Sequence, residues 1–192
     1  MLVGFAGYAR AGKNTIANMI STEPESGIKM MQSAFADKLK DEVGTMLEAV
    51  GINRNVLMVE KESYRDLMVF WGKNRRKQHR DYWVKPVINQ YQEASSVEGK
   101  DILFMVTDVR YMNEVEAILK EGGKVYIVQR EFGRPANDEE AASLKEVYEF
   151  SKSHPDKVKL LPVCYTLADL QEQAMDVLDE SYQKMRMGGR MC

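Results

Sequence analysis

Two glycines and a lysine near the start of the chain have the spacing of a phosphate-binding loop. Gly7 and Gly12 are separated by four residues, and Lys13 follows the second glycine directly. Glycines permit backbone conformations that turn successive N–H groups toward one point, where they can bind phosphate oxygens. The lysine adds a mobile positive charge, and a helix starting there adds its unpaired amides and the positive end of its dipole. This pattern predicts binding of the phosphates of a nucleoside triphosphate.

The loop departs from the usual pattern at one position. The residue after the lysine is commonly a Ser or Thr whose hydroxyl binds Mg²⁺, but here it is Asn14, followed by Thr15. Either side chain is a candidate metal ligand. The other interpretation is a glycine-rich turn that caps a helix and carries a solvated lysine. We predict that the whole loop contacts ATP: Gly7, Tyr8, Ala9, Arg10, Ala11, Gly12, Lys13, Asn14 and Thr15.

A carboxylate and a guanidinium follow a second apolar run, Ile102 to Thr107. They are Asp108 and Arg110. Ligands bind beyond the carboxyl ends of strands in open α/β sheets, so Arg110 is a candidate phosphate ligand. Asp108 could hold Mg²⁺ through water or orient an acceptor phosphate. It could equally well cap a helix or a turn.

The middle of the chain is basic, although the net charge of the whole chain is −2. Residues 61–85 carry eight basic and three acidic side chains. Arg65, Gly72 and Arg76 fall on one stripe of a continuous helix, with the two arginines roughly 16 Å apart along its axis. That separation suits the two ends of a nucleotide-sized ligand, and a break near Gly72 would change it. Gly72 would either admit a flat ligand or end the helix.

Other residues of the middle and of the following segment leave alternatives open. Trp71, Tyr82 and Trp83 could stack on a base or bury core surface. The basic run at 73–80 could be a nucleic-acid patch or a solvated face. Arg130 precedes a Gly-Arg-Pro segment that contains Arg134, at a place where phosphotransferases often carry a lid whose arginines neutralise charge during transfer. Arg134 could also belong to an ordinary basic loop.

The elements that must position these residues alternate between strands and helices. Apolar runs predict five strands, at 2–6, 28–35, 102–107, 125–128 and 158–163. Helical spacing predicts helices after Gly12, after the second strand, between 60 and 96, from Asn113, at 138–152 and at 167–185. The alternation predicts an α/β domain of three layers around a five-stranded parallel sheet. We expect one domain over 1–187 and a disordered tail at 188–192.

Composition is ordinary for a soluble globular protein, with 44% hydrophobic and 29% charged residues among 192. The apolar runs are too short to span a membrane, and the first residues do not resemble a signal peptide. Cys164 and Cys192 do not make a disulfide framework, which favours a reducing compartment. We therefore expect a cytoplasmic protein with no membrane partner.

With these residues in view, the chain resembles the deoxynucleoside monophosphate kinases of bacteriophages, which have a P-loop nucleoside monophosphate kinase fold. The likeness extends over roughly residues 2–135, and the C-terminal third matches in architecture only. It rests on blocks in the family's order: Gly-Tyr-Ala-Arg-Ala-Gly-Lys-Asn-Thr at 7–15, Phe-Ala-Asp-Lys-Leu-Lys at 35–40, Trp71–Gly72 with Arg75–Arg76, Asp-Tyr-Trp-Val at 81–84, Thr-Asp-Val-Arg-Tyr-Met-Asn-Glu at 107–114 and Gly-Gly-x-Val at 122–125.

The resemblance implies transfer of the ATP γ-phosphoryl group to the 5′-phosphate of a deoxynucleoside monophosphate (dNMP), with Mg²⁺ as the metal. Lys13 would hold the donor phosphates, Arg65, Arg110 and Arg76 the acceptor phosphate, and Arg130 would act in transfer while Arg134 contacts ATP. Metal candidates are Asn14, Thr15 and Asp108. The acceptor pocket would be lined by Phe35, Lys38, Arg65, Trp71, Gly72, Arg75, Arg76, Asp108 and Arg110.

The resemblance also implies a domain organisation and a set of partners. A helical substrate-binding insertion would occupy about 36–97 and a lid about 130–140. The partner would be a small molecule, not a nucleic acid, and the location would be the host cytoplasm if the protein is phage-encoded. A homodimer is left open. Two alternatives remain: a P-loop kinase of another small metabolite and a nucleic-acid-binding NTPase.

Overall fold

The computed structural model describes residues 1–23, 27–60, 62–98, 101–131, 133–135 and 137–188. Five strands form one sheet: β1 (Leu2–Ala6), β2 (Lys29–Ser33), β3 (Ile102–Val109), β4 (Lys124–Arg130) and β5 (Val158–Cys164). The helices within these residues are α1 (Lys13–Ser21), α2 (Phe35–Ala49), α3 (Val56–Val59), α4 (Arg65–Gln78), α5 (Val84–Glu98), α6 (Met112–Lys120), α7 (Asp138–Ser153) and α8 (Leu167–Gly188). Apart from Gly188, the predicted disordered tail, with Cys192, lies outside the described residues.

The sheet is parallel throughout, with the strand order β2-β3-β1-β4-β5. The predicted α/β class and five-stranded parallel sheet are therefore confirmed. β1 is central and completely buried, because its run of Leu, Val, Gly, Phe and Ala presents nothing polar to either face. Its neighbours β3 and β4 are nearly as apolar, which places the core along the middle of the sheet.

The two faces of the sheet are covered by different helices. Residues of α1 and α8, such as Ile16 and Val177, pack on one face, against Phe5 and Met105. Residues of α5, α6 and α7, such as Val87, Ile118 and Leu144, pack on the other. This arrangement is the predicted three-layer architecture.

A crevice lies between the carboxyl ends of β1 and β3. The connection that leaves β1 through α1 leads to β2, on the far side of β3, whereas the connection that leaves β3 through α6 leads to β4, on the far side of β1. Because the chain turns in opposite directions from these two neighbouring strands, the connections that follow the strands diverge there, although the strands themselves pair up to Ala6 and Val109. The glycine-rich loop and Arg110 flank this crevice.

Helices α2, α3 and α4 form a projection that we call the helical arm. It has its own small apolar cluster, built on Val43, Leu47 and Leu57, against which Leu39 and Trp71 pack. The segment predicted as a substrate-binding insertion thus folds into the arm and α5. Since α2 also begins at the sheet, the arm is attached to the crevice at its base.

Three predicted strand ends were wrong by two residues, and one of them is that of the fourth strand, which ends at Arg130 instead of Val128. The second strand ends at Ser33 instead of Phe35, which is the first residue of α2. The third strand continues past Thr107 to Val109, so that Asp108 lies inside it. Within the described ranges, none of the helices has the length and hydropathy that a membrane span requires.

The turn before β4 offers a test of the packing. A Cβ atom at Gly123 would lie 2.7 Å from the carbonyl oxygen of Leu2 and 2.8 Å from that of Ile118. Backbone atoms cannot move aside easily, so we expect Gly123→Ala to lower the free energy of unfolding by about 1–3 kcal/mol, measured by urea denaturation.

Gly44→Ala is the matched control for that variant. The closest atom to a Cβ atom there would be Cβ of Arg54, at 3.1 Å, so that a small shift relieves the contact, and alanine favours the helix by up to about 1 kcal/mol. We expect Gly44→Ala to be neutral or stabilising. Equal destabilisation by the two variants would contradict the packing described for Gly123.

Candidate active site

The loop between β1 and α1 is held in a conformation that requires glycine. Gly7 and Gly12 have φ angles of 131° and 105°, which L side chains rarely adopt. A Cβ atom at Gly7 would lie 2.3 Å from the carbonyl oxygen of Val128, so the loop lies directly against β4. At Gly12 a Cβ atom would contact Leu170 at 2.9 Å. The loop is therefore fixed from two sides at the head of α1, in the form that a triphosphate cradle needs.

Lys13, the first residue of α1, reaches back across the loop. Its Nζ atom donates hydrogen bonds to the carbonyl oxygens of Gly7, at 2.7 Å, and Tyr8, at 2.8 Å, and only 7% of the residue is exposed. Burial, and next the charge of Arg110, lowers the pKa of Lys13 to about 8, while Glu140 and Asp108 act in the opposite direction. These three charged residues are thus close enough to affect the lysine.

The other residues of the loop differ in exposure. Ala11 is buried, Arg10 is exposed with a φ angle of 63°, and Tyr8 lies with its ring 6.3 Å from that of Tyr148. Asn14 is exposed and Thr15 is half-buried. Among the residues that the structure describes, His, Cys, Asp and Glu form no group of three that could hold a metal ion. The donors near the loop suit a Mg²⁺ ion that is bound mainly by phosphate oxygens.

The Asp108 carboxylate binds the beginning of α2. Oδ1 accepts a hydrogen bond from the backbone N–H of Phe35 at 2.7 Å, and Oδ2 accepts one from Ala36 at 2.9 Å. Burial raises the pKa of Asp108, against the lowering effect of these amides and of Arg110. Of the two roles left open by the sequence, this geometry is that of a helix cap. A role in binding Mg²⁺ stays a prediction.

Two of the predicted phosphate-binding arginines converge on the end of β3. Nη1 of Arg110 lies 3.6 Å from Oε1 of Glu140, which is buried in the first turn of α7. The guanidinium carbon of Arg76, in α4, lies 4.3 Å from the ring centroid of Tyr111, the residue after Arg110. Lys13 follows the neighbouring strand, since Ala6 of β1 pairs with Val109 of β3, so the three cations lie at the same end of the sheet.

Glu114 is a buried acid that the sequence analysis did not identify. One carboxylate oxygen, Oε2, accepts hydrogen bonds from the backbone N–H groups of Arg110, at 2.6 Å, and Tyr111, at 3.0 Å. Burial, followed by the charge of Asp108, raises the pKa of Glu114 to about 7. Glu114 therefore fixes the backbone that carries Arg110. The signal in the sequence was its position in the first turn of a predicted helix.

A second unpredicted acid, Glu42, organises the aromatic part of the arm. It accepts hydrogen bonds from Nε1 of Trp71, at 2.8 Å, and from the hydroxyl of Tyr82, at 2.6 Å. The guanidinium carbon of Arg75 lies 4.6 Å from the Trp71 ring centroid and 5.0 Å from that of Tyr82. Two of the three rings that the sequence offered for stacking on a base are thus in contact with Arg75.

Gly72 and Trp83 each had two interpretations, and the structure bears on both residues. α4 runs without a break through Gly72, which is buried and faces Leu39, so the prediction of a helix end there was wrong, and contact of Gly72 with a ligand stays a prediction. The carbonyl oxygen of Gly72 accepts a hydrogen bond from Nε1 of Trp83, at 3.1 Å. Trp83 is 2% exposed and is a core residue, as its second interpretation held.

The remaining predicted residues lie around the crevice or along the arm. Phe35 is buried at the start of α2, and Lys38 pairs with Asp41 one turn further on. Arg65 begins α4 and pairs with Glu62, eleven residues from Arg76 along a continuous helix, so the structure does not bring it to the other arginines. Arg130 ends β4 and is exposed, as is Arg134.

The segment predicted as a lid, about 130–140, is shorter than expected. Arg130 still belongs to β4, and α7 begins at Asp138, so the connection itself is 131–137. Residues 132 and 136 within it lie outside the described residues. The movement of this segment as a lid stays a prediction.

Comparison with known proteins agrees with the geometry of the loop and the crevice. The chain is a P-loop kinase, a phosphotransferase that acts on a small molecule. Its sequence matches the phosphomevalonate kinase family over residues 5–124, more than half of its length, and the chain belongs to that family. The resemblance to nucleotide kinases is thereby confirmed at the level of P-loop kinases. No curated protein matches the chain by sequence.

Two solved structures of kinases resemble the fold distantly. Shikimate kinase from Aquifex aeolicus vf5 is 14% identical, with 95% of this chain and 99% of that chain covered and a TM-score of 0.40. Thymidylate kinase from Ehrlichia chaffeensis is 13% identical, with 93% and 98% covered and a TM-score of 0.49. Neither likeness identifies the substrate that accepts the phosphoryl group in this chain.

The raised pKa of Glu114 predicts how stability changes with pH. The folded chain binds this proton more tightly than the unfolded chain, in which the pKa is near its ordinary value of 4.5. The contribution of protonated Glu114 to the free energy of unfolding is therefore fully present below pH 4.5 and is lost as the pH rises through about 7. Glu114→Gln stays neutral, and its amide oxygen can keep both backbone hydrogen bonds.

We therefore expect the stability of Glu114→Gln to rise relative to that of the native chain between pH 4.5 and 8. A shift from 4.5 to about 7 corresponds to about 3 kcal/mol at most. Urea denaturation at several pH values measures the difference. Parallel stability curves for the two proteins would contradict the buried, perturbed state of Glu114.

Proposed function

We propose that the protein is an ATP-dependent dNMP kinase that transfers the γ-phosphoryl group to the 5′-phosphate, giving ADP and a dNDP. The observation that carries this proposal is that Lys13 and Arg110 follow the carboxyl ends of two neighbouring parallel strands, since Ala6 of β1 pairs with Val109 of β3. A cation at the head of α1 suits the donor phosphates, and one at the end of β3 suits a second phosphate. A site with both can bring the two phosphates together in line.

On the donor side, the loop amides and Lys13 would bind the β- and γ-phosphates of ATP. Lys13 would exchange its hydrogen bonds to Gly7 and Tyr8 for phosphate oxygens. Asn14 and Thr15 would contact the Mg²⁺ ion or its water, and Mg²⁺ would neutralise phosphate charge. Arg130 and Arg134, beyond the end of β4, would neutralise charge that develops on the leaving ADP.

On the acceptor side, Arg110 and Arg76 would bind the monophosphate, and an oxygen of that phosphate would attack the γ-phosphorus. The bond between the γ-phosphorus and the β–γ bridging oxygen breaks as the new P–O bond forms. A phosphate dianion is already a nucleophile, so no side chain has to remove a proton. Catalysis is then positioning and neutralisation of charge.

The charges of the arm favour an acceptor whose far end is neutral. Three arm cations have carboxylate partners within 3.4 Å: Lys38 with Asp41, Arg65 with Glu62, and Arg75 with Glu42. An acceptor with a second anionic group would have to displace one of these acids. A nucleobase would not, and the aromatic rings of the arm offer surface on which it can pack.

Phosphomevalonate is the second candidate acceptor, because the family that the chain belongs to is named for it. Like a dNMP it is a phosphate monoester, so the roles of Lys13 and Arg110 would be the same. A nucleic-acid-binding NTPase has less support. Within the run at 73–80, Lys73, Arg75 and Arg80 pair with acids, and Arg76 stacks on Tyr111.

A panel of acceptors tests the proposal. We expect ADP release from ATP–Mg²⁺ with at least one of dGMP, dTMP, dCMP and dAMP, with a specificity constant at least about a hundredfold above that for phosphomevalonate, since a mismatched acceptor loses its specific contacts. Turnover with phosphomevalonate alone would replace the proposed acceptor. Release of ADP with no acceptor except oligonucleotides would support the NTPase alternative.

Lys13→Met tests the donor side. Methionine keeps most of the buried stem but removes the charge, so we expect kcat to fall at least about a hundredfold, the cost of removing one stabilising group from the transition state. The melting temperature should stay near that of the native chain. A Lys29→Met variant, with the substitution at an exposed residue of β2, is the control and should keep full activity. Near-native turnover by Lys13→Met would contradict the mechanism.

A further inference from the structure

Two consecutive acids at the head of α7, Glu139 and Glu140, each contact a different part of the acceptor site. We propose that they are positioning residues, which hold Arg76 and Arg110 in the orientation that an acceptor phosphate requires. The inference rests on the proposed function only in that the acceptor carries a phosphate. In this role Glu139 and Glu140 act through the two arginines and bind neither the donor nor the acceptor nucleotide directly.

Glu140 acts on Arg110 directly. Its Oε1 atom lies 3.6 Å from Nη1 of Arg110, and its side chain is 3% exposed, whereas that of Arg110 is 45% exposed. Asn137 Oδ1 accepts a hydrogen bond from the backbone N–H of Glu140 at 2.8 Å, which fixes the start of the helix. The buried acid therefore forms an ion pair with one corner of the guanidinium group, at a distance longer than a hydrogen bond. A guanidinium group has five N–H donors in a plane, so most remain available on the exposed side.

Glu139 acts on Arg76 through Tyr111. Oε1 of Glu139 accepts a hydrogen bond from the Tyr111 hydroxyl at 2.8 Å, and Arg76 stacks on the face of the Tyr111 ring at 4.3 Å. Stacking uses the face of the guanidinium group and leaves its in-plane N–H donors available. Oε2 of Glu139 also pairs with Lys73, at 2.6 Å, one turn before Arg76. Glu139 thus joins α7, the end of β3 and the arm.

The two acids hold their arginines in a way that suits phosphate binding. Arginine has a long side chain, and ordering it on binding costs up to about 2 kcal/mol. A carboxylate that orders the side chain beforehand removes part of that cost from the binding step. The phosphate would meet two guanidinium groups that are already oriented. One short segment positions both, because it carries Arg110 and presents the ring of Tyr111 to Arg76. A carboxylate that itself occupied the binding site of the acceptor phosphate would instead compete with the acceptor.

The test compares Glu139→Gln and Glu140→Gln with Asp138→Asn. Asp138 is exposed in the same helical turn, so its variant removes an equal charge from the head of α7 and controls for the helix dipole. We expect the KM for the acceptor to rise about tenfold in each Gln variant, the loss expected for one charge-assisted contact. The KM for ATP should change less, and Asp138→Asn should match the native chain.

Double-mutant cycles separate positioning from a merely structural role. In an Arg110→Ala background, Glu140→Gln should have no further effect on the acceptor KM. Tyr111→Phe keeps the ring under Arg76 but removes the hydroxyl, so it should reproduce the effect of Glu139→Gln, and the double variant should add nothing. If Glu140→Gln fails to fold, the Glu139 and Tyr111 variants still decide the proposal.

The outcomes distinguish this inference from the proposed function. Native turnover of a dNMP together with an unchanged or lowered acceptor KM in the Gln variants overturns the inference alone. Equal increases in the KM for ATP and acceptor also overturn it, because the acids would then act on the whole site. If the native chain uses phosphomevalonate instead, the proposed function fails, and the same variants test the inference on that phosphate. If the chain phosphorylates no phosphate monoester, both fail.

Discussion

The hydrogen bonds between Asp108 and the beginning of α2 are the constraint on which the site depends. This carboxylate lies near the end of β3, next to the central strand, and accepts hydrogen bonds from the first two amides of the helix that starts the arm. The arm packs on α2, and α4 brings Arg76 back to Tyr111, two residues beyond Val109, the end of β3. One buried carboxylate therefore sets the distance between the crevice, where Lys13 lies, and the helices that would enclose an acceptor.

Much of the fold follows from local sequence patterns. Short apolar runs are sufficient to identify the five strands, and helical spacing identifies most helices, because burial of one face imposes these periods. The boundary at Phe35 could not be predicted in this way. Phenylalanine continues the apolar pattern of the second strand, but its amide is bound by Asp108, 73 residues away. A contact over that separation, rather than local preference, decides where the helix begins.

The candidate site also has a part that local sequence predicts and a part that depends on distant contacts. The phosphate loop was predictable, because its residues are contiguous and the chemistry fixes their spacing. Glu42, Glu114 and Glu140 were not, because the groups that give them a role come from other elements, such as Tyr82 for Glu42. In the sequence, an acid in the first turn of a helix indicates only favourable capping. Gly72 shows the converse: as a glycine it could have ended the helix, whereas α4 continues through it and packs it closely on Leu39.

In the proposed mechanism a donor phosphate at Lys13 and an acceptor phosphate at Arg110 share one crevice. The most direct measurement is calorimetric binding of an adenosine and a deoxythymidine joined through five phosphates, compared with a nonhydrolysable ATP analogue. The account predicts that the joined molecule binds at least about a hundredfold more tightly, because the second site is engaged without further loss of freedom, and that Arg110→Ala removes most of this gain while leaving the ATP analogue nearly unaffected. Equal affinity of the two ligands for the native chain would contradict the claim.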